Sequence, residues 1–200
     1  LLAENAKDSF YEDEIRYGLE IALGGLFQLA IITFVALLLG IAKEVITIAI
    51  STALYRQYSG GAHCQAFYRC TLTSLVTFIL LGYLSQYIPN SYWSCYIIFT
   101  VILSIIIIHR YVPVDNPRYK ITDEVVREKR RQKSYVVVFL ILLASALTSY
   151  FYDKELYSIA LLLGLLCQDF TLSPWGANYI CFLDNIFDKM EKILKRGVVT

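Results

Sequence analysis

The chain alternates long apolar runs with short polar breaks, and the runs are continuous rather than striped. Leu19 to Gly40 carries only Glu20 and Gln28 as interruptions. After the turn Ala42-Lys43-Glu44, Val45 to Tyr55 is apolar but only about half a normal span long. Thr71 to Ile88 closes at Pro89-Asn90, and Trp93 to Ile108 follows with Tyr92 and Trp93 as interfacial anchors. Tyr135 to Tyr150 and Leu156 to Leu172 are separated by Asp153-Lys154-Glu155, and Ser173-Pro174-Trp175-Gly176 ends the last run. Apolar runs of roughly 18 residues or more predict helices that cross a bilayer. The pattern therefore predicts an all-α, polytopic integral membrane protein with about six membrane segments. The second segment is short or re-entrant, and the Ser59-Gly60-Gly61 break after it suits backbone lining a protected cavity.

Both ends read differently. Over residues 3–17, Phe10, Tyr11, Ile15 and Leu19 fall on one side and the acids and Lys7 on the other. Over residues 177–196, Ile180, Leu183, Ile186, Phe187, Met190 and Leu194 oppose Asp184, Asp188, Glu191, Lys192 and Lys195. These are amphipathic surface helices. The charged start, with Glu4, Asp8, Glu12, Asp13 and Glu14, predicts no cleavable signal peptide.

Composition agrees with the pattern. The chain is 57% hydrophobic, with four prolines and no Ser/Gly-rich linker, which predicts one integral membrane domain over residues 1–200. Five cysteines is an odd count without a disulfide spacing, and Cys95, Cys167 and Cys181 sit among apolar residues as packing groups. The net charge of +1 conceals an asymmetry: of 18 basic residues, only Lys43 and Lys154 fall in the odd loops of a six-span chain. The bias puts both termini, the second loop and the fourth loop on the cytoplasmic side.

The second loop holds the chemistry. Tyr55 to Cys70 is a polar, glycine-punctuated island with one of two histidines, His63, and two of five cysteines, Cys64 and Cys70. A thiol becomes a nucleophile when a neighbour takes its proton, and imidazole is the usual partner. His63 and Cys70 are seven residues apart. In one straight helix that is about 10.5 Å along the axis, too far to share a proton. A dyad of these two therefore requires a bend, with His63 in or beside a loop and Cys70 near the start of the next helix. The helix dipole and adjacent Arg69 would there favour the thiolate. Cys64 is a rival nucleophile, although as the immediate neighbour of His63 its thiol tends to point elsewhere. A zinc site from His63, Cys64 and Cys70 lacks a fourth ligand and matches no common zinc module. An ordinary loop with packing cysteines is the plain alternative.

Arg56, Gly60-Gly61-Ala62-His63 and Cys70, in a polytopic chain of this length, resemble the accessory gene regulator protein B family of bacterial quorum sensing. The family pattern is an Arg seven before the His, a Gly two before it and the catalytic Cys seven after it, here Arg56, Gly61, His63 and Cys70. Tyr111-Val112-Pro113-Val114-Asp115-Asn116-Pro117 and the basic cluster behind it resemble the family's central loop. The resemblance implies a multi-pass cysteine endopeptidase of the bacterial cell membrane, with Cys70 as nucleophile, His63 as base and no cofactor or metal. It implies cleavage of a small propeptide with an amphipathic leader and an acidic C-terminal tail, and closure of a thiolactone. It also implies a homodimer in the lipid bilayer.

Around the pair, Gly60, Gly61 and Gln65 are candidate oxyanion or structural supports, and Arg56 could hold a carboxylate. Asp115, Asn116, Gln168 and Asp169 are candidates to orient His63. Arg127, Lys129, Arg130, Arg131 and Lys133 form a cationic patch that could dock the acidic tail or set topology. Nucleic acid is not an expected partner. A small transporter or channel using Glu20, Arg56, Arg69, Gln168 and Asp169 is the alternative from another class.

Overall fold

The computed structural model describes residues 2–62, 64, 66–115, 121–151 and 155–197. Seven α-helices carry the fold: α1 (Leu2–Leu38), α2 (Ala42–Ser59), α3 (Phe67–Tyr87), α4 (Trp93–Tyr111), α5 (Glu124–Phe151), α6 (Glu155–Leu172) and α7 (Pro174–Gly197). Six of them contain the six apolar runs. Helices α3, α4 and α5 are long and apolar enough to cross a membrane, and α6 with α7 forms a fourth such unit bent by 80°. The protein is a polytopic all-α membrane protein.

Three boundaries differ from the sequence reading. Residues 3–17 are not a separate surface helix, because α1 runs unbroken into the first apolar run. The second segment is a continuous 18-residue helix that extends past its apolar part through Arg56 and Ser59. The cationic patch lies on the first turns of α5 rather than in a loop, started by Asp123, whose Oδ1 accepts the Val125 N–H at 2.8 Å.

Helix α1 ends at Gly40, whose φ of +73° lets the Ile41 N–H reach back to Ala36 O at 3.0 Å. The chain reverses at once into α2. Helices α2 and α6 are the central pair, contributing to both apolar clusters. One joins Ile32, Val45, Ile48, Phe78 and Ala160; the other joins Tyr55, Ile108, Val138, Ile141 and Leu165.

The central pair is close and polar. A Cβ on Gly164 would lie 2.6 Å from Ser51 Cβ and 2.7 Å from Ile48 O, so only glycine fits there. Ser51 Oγ donates to Leu161 O at 2.9 Å and Thr52 Oγ1 to Gly164 O at 3.0 Å. Meanwhile Leu26, Phe34, Leu80, Ile102 and Phe139 are exposed. Small and polar residues inside, with large apolar residues outside, is the arrangement a bilayer selects.

Candidate active site

The link between α2 and α3 is where the chain departs from helix. Gly60 has φ +73° and Gly61 φ +147°, both in the region that favours glycine. The Gly60 N–H closes α2 onto Arg56 O at 3.0 Å, so it is already occupied and is not an oxyanion donor. The central loop locks the turn from the other side. Val114 N–H donates to Ser59 O at 2.9 Å, and a Cβ on Gly60 would sit 2.2 Å from Val114 O. The second and fourth loops therefore meet at one end of the bundle. Helix resumes at Phe67 after an extended Ala66, and Cys70 N–H makes a helical bond to Ala66 O at 3.2 Å. Cys70 thus occupies the first turn of α3. His63, Gln65 and Asn116 lie outside the described residues.

Two thiols meet beside that turn. Cys64 and Cys70 share a thiol–thiol hydrogen bond, and this bond, with burial and the Cys70 charge, pushes the Cys64 thiol above its ordinary value. The Arg56 charge lies within electrostatic reach of Cys70 first, then of Cys167 and Cys64. Cys167 packs against the first apolar cluster, as expected, and also lies within electrostatic reach of Arg56.

Arg56 is held by neutral groups. Its guanidinium donates to Ala62 O and, at 3.4 Å, to Gln168 Oε1. Gln168 is fully buried and donates through Nε2 to Gly60 O at 2.7 Å and Ser59 Oγ at 3.0 Å. Next to it, Asp169 accepts from Tyr55 Oη at 3.0 Å and from Ser104 Oγ.

Arg69 behaves differently from expectation. Its guanidinium pairs with Asp184 at 3.3 Å, Asp188 at 3.3 Å and Glu191 at 2.9 Å, all on α7, and Tyr68 Oη also bonds Glu191. Its charge is therefore matched by carboxylates, and Arg56 is the cation facing the thiols. Asp184 also lies within reach of Cys64, so α7 borders the site. Periodicity revealed the polar face of α7 but gave no signal of what it would meet.

The cationic patch divides. Arg127 pairs with Asp115 at 2.8 Å and donates to Pro113 O at 3.3 Å. Arg131 pairs with Glu128 at 3.1 Å and donates to Val112 O at 3.2 Å. Lys133 stands over the Tyr58 ring, 5.6 Å from its centroid. These three brace the central loop against the island. Lys129 and Arg130 are exposed and have no ion pair among the described residues. Of the candidates to orient His63, Asp115 is thus engaged by Arg127, Gln168 by the turn, and Asp169 by two hydroxyls.

Comparison with known proteins agrees with this layout. The family model described as accessory gene regulator B matches residues 1–172. The chain belongs to the accessory gene regulator B family. Its relatives include a putative AgrB-like protein of Listeria innocua serovar 6a, 30% identical over 174 residues, covering 84% of this chain and 82% of the relative. A putative AgrB-like protein of Clostridium perfringens (strain SM101 / Type A) is 22% identical over 194 residues, covering 92% and 91%. No solved structure matches. The family match ends at the last residue of α6, so α7 lies beyond it.

Proposed function

We propose that this protein is a membrane cysteine endopeptidase that matures a quorum-sensing signal. It removes the C-terminal part of a small propeptide through an acyl-enzyme on Cys70 and passes the acyl group to a substrate side chain. The observation that carries the reading is the Cys70 thiol in the first turn of α3, just after the glycine turn that Arg56 and Gln168 hold from inside the bundle. A thiol at a helix start, with a buried cation nearby, is favoured as the thiolate.

His63 takes the Cys70 proton as sulfur attacks the scissile carbonyl, and returns it to the leaving amine as the C–N bond breaks. A thioester remains on Cys70. A substrate thiol then loses its proton to His63 and attacks that thioester, forming the thiolactone and restoring the Cys70 thiol. One thioester replaces another, so no external energy source is required when water is kept out. Oxyanion donors fall to Gly61, Gln65 and the first turn of α3, where Ala66 provides no side-chain cap.

The acidic tail of the propeptide docks on Lys129 and Arg130, the patch members not used in bracing. The site opens to the cytoplasm of a bacterial cell, and the enzyme works as a homodimer in the bilayer. Co-expression with the propeptide tests the reading: Cys70→Ala and His63→Ala should each abolish cleavage. Retained cleavage in both would overturn it.

A further inference from the structure

Gln168 is fully buried beside the island, and its partners define its amide orientation. Gly60 O can only accept and the Arg56 guanidinium can only donate, so the amide nitrogen must face Gly60 and the amide oxygen Arg56. All four hydrogen-bonding positions of the carboxamide are filled. Nε2 reaches Gly60 O at 2.7 Å and Ser59 Oγ at 3.0 Å; Oε1 receives Arg56 at 3.4 Å and Thr171 Oγ1 at 3.1 Å. Arg56 in turn donates to Ala62 O, the last carbonyl before His63. Two carbonyls flanking Gly61 are thus tied to one α6 side chain, directly and through Arg56. A Cβ on Gly61 would meet Arg56 at 3.0 Å and Gln168 at 3.3 Å, so the clamp closes tightly over the turn.

We propose that Gln168 is a positioning residue for the reaction: it sets the Gly60–Ala62 turn and fixes the Arg56 guanidinium in that turn. The inference rests on the peptidase reading for its catalytic consequence but not for its geometry. Neither neighbouring chemistry can replace the carboxamide. A carboxylate at this position would hold Arg56 but oppose Gly60 O with a second acceptor. An aliphatic side chain would fill the space and release both. The consecutive residue Asp169 holds Tyr55 and Ser104, so α6 keeps its rotation without Gln168 and the turn alone is freed.

The test compares Gln168→Leu, Gln168→Glu and Ser59→Ala in the full chain, reconstituted in proteoliposomes. Three measurements are taken: kcat and KM for the propeptide, the thermal midpoint, and the iodoacetamide alkylation rate of Cys70 at pH 7, read by peptide mass spectrometry. The charged and titratable groups of the site are Arg56 on α2, the proposed base His63, Cys64 in the loop, Arg69 on α3, Cys167 near Arg56 on α6 and Asp184 near Cys64 on α7; Gln168→Leu and Ser59→Ala alter none of them, and Gln168→Glu adds a carboxylate. Displacement of reacting groups by about 1 Å costs about 100-fold. The expected result for Gln168→Leu is a kcat loss of that order, KM within about 3-fold, a thermal midpoint lowered by the buried groups left unpaired but a protein still folded at the assay temperature, and at least about 5-fold slower Cys70 alkylation. Gln168→Glu, which loses the Gly60 tie and matches Arg56 with a carboxylate, should lose kcat and slow Cys70 alkylation at least as much as Gln168→Leu. Ser59→Ala should stay within about 3-fold on every measure, since Gly60 O keeps its donor. Wild-type kcat and alkylation in Gln168→Leu would overturn the inference, as would a kcat loss with an unchanged alkylation rate in the folded protein. If His63→Ala and Cys70→Ala both still cleave, the peptidase reading fails separately, and the alkylation rate alone decides the role of Gln168.

Discussion

Arg56 and Arg69 flank His63 at nearly equal sequence distance, seven residues before and six after, yet the fold uses them in opposite ways. Arg56 is held by an amide and a carbonyl, so its charge is directed but not cancelled. Arg69 adjoins Cys70 in sequence, yet Asp184, Asp188 and Glu191 surround its guanidinium. A cation held by neutral dipoles retains its field for whatever faces it, whereas one matched by carboxylates serves chiefly to join helices. Adjacency to a nucleophile is therefore a poor guide to which charge acts on it.

The two arginines should separate cleanly on substitution. Arg56→Leu removes the cation facing the thiols and the tie to Ala62, and should lower kcat on the order of 100-fold or more in the propeptide cleavage assay. Arg69→Leu should lower kcat less than about 10-fold but lower the midpoint of detergent unfolding, because the ion pairs that join α3 to Asp184, Asp188 and Glu191 on α7 are lost. Adding Asp184→Asn should recover part of that stability. A kcat loss as deep as that of Arg56→Leu would erase the distinction. Arg56→Lys should cost about 10-fold in kcat, since an ammonium cannot fork between Ala62 O and Gln168 Oε1; full activity would mean that charge alone suffices.

The smallest effect concerns pH. Cys70 raises the Cys64 pKa, which favours the neutral thiol, so Cys64 should alkylate more slowly than an ordinary thiol between pH 8 and pH 9. Deleting the cause with Cys70→Ala should lower that pKa and accelerate Cys64 alkylation at fixed pH. No acceleration would show that the two thiols are independent.

Much of the fold could be read from the chain because lipid leaves a helix few alternatives. The apolar runs and the glycine break at Ser59-Gly60-Gly61 coincide with helices and their interruption. The distance argument asks for a bend between His63 and Cys70, and helix begins again at Phe67, between those two positions. What could not be read were partnerships. Helix α2 outlasts its apolar run because Ser59 and Arg56 find Gln168 more than a hundred residues later. Arg69 loses its expected role to acids on α7, and Arg127 leaves the docking patch for Asp115. Gly60 was correctly placed at the turn but not as a donor, since its N–H caps α2. Apart from the local Gly60 cap, these revisions concern hydrogen bonds or ion pairs whose two ends lie on different elements, where periodicity carries no information.

The Gln168 clamp has a consequence for biosynthesis. Arg56 and Gln168 are 112 residues apart, so at about 5–20 residues per second roughly 6–22 s separate their synthesis. During that interval the nucleophile is already in the membrane, but the turn before it has no α6 to set it. Chains truncated before Glu155 should therefore show a Cys70 that alkylates as slowly as in Gln168→Leu. A ribosome thus delivers Cys70 early and the side chain that sets the turn before it late.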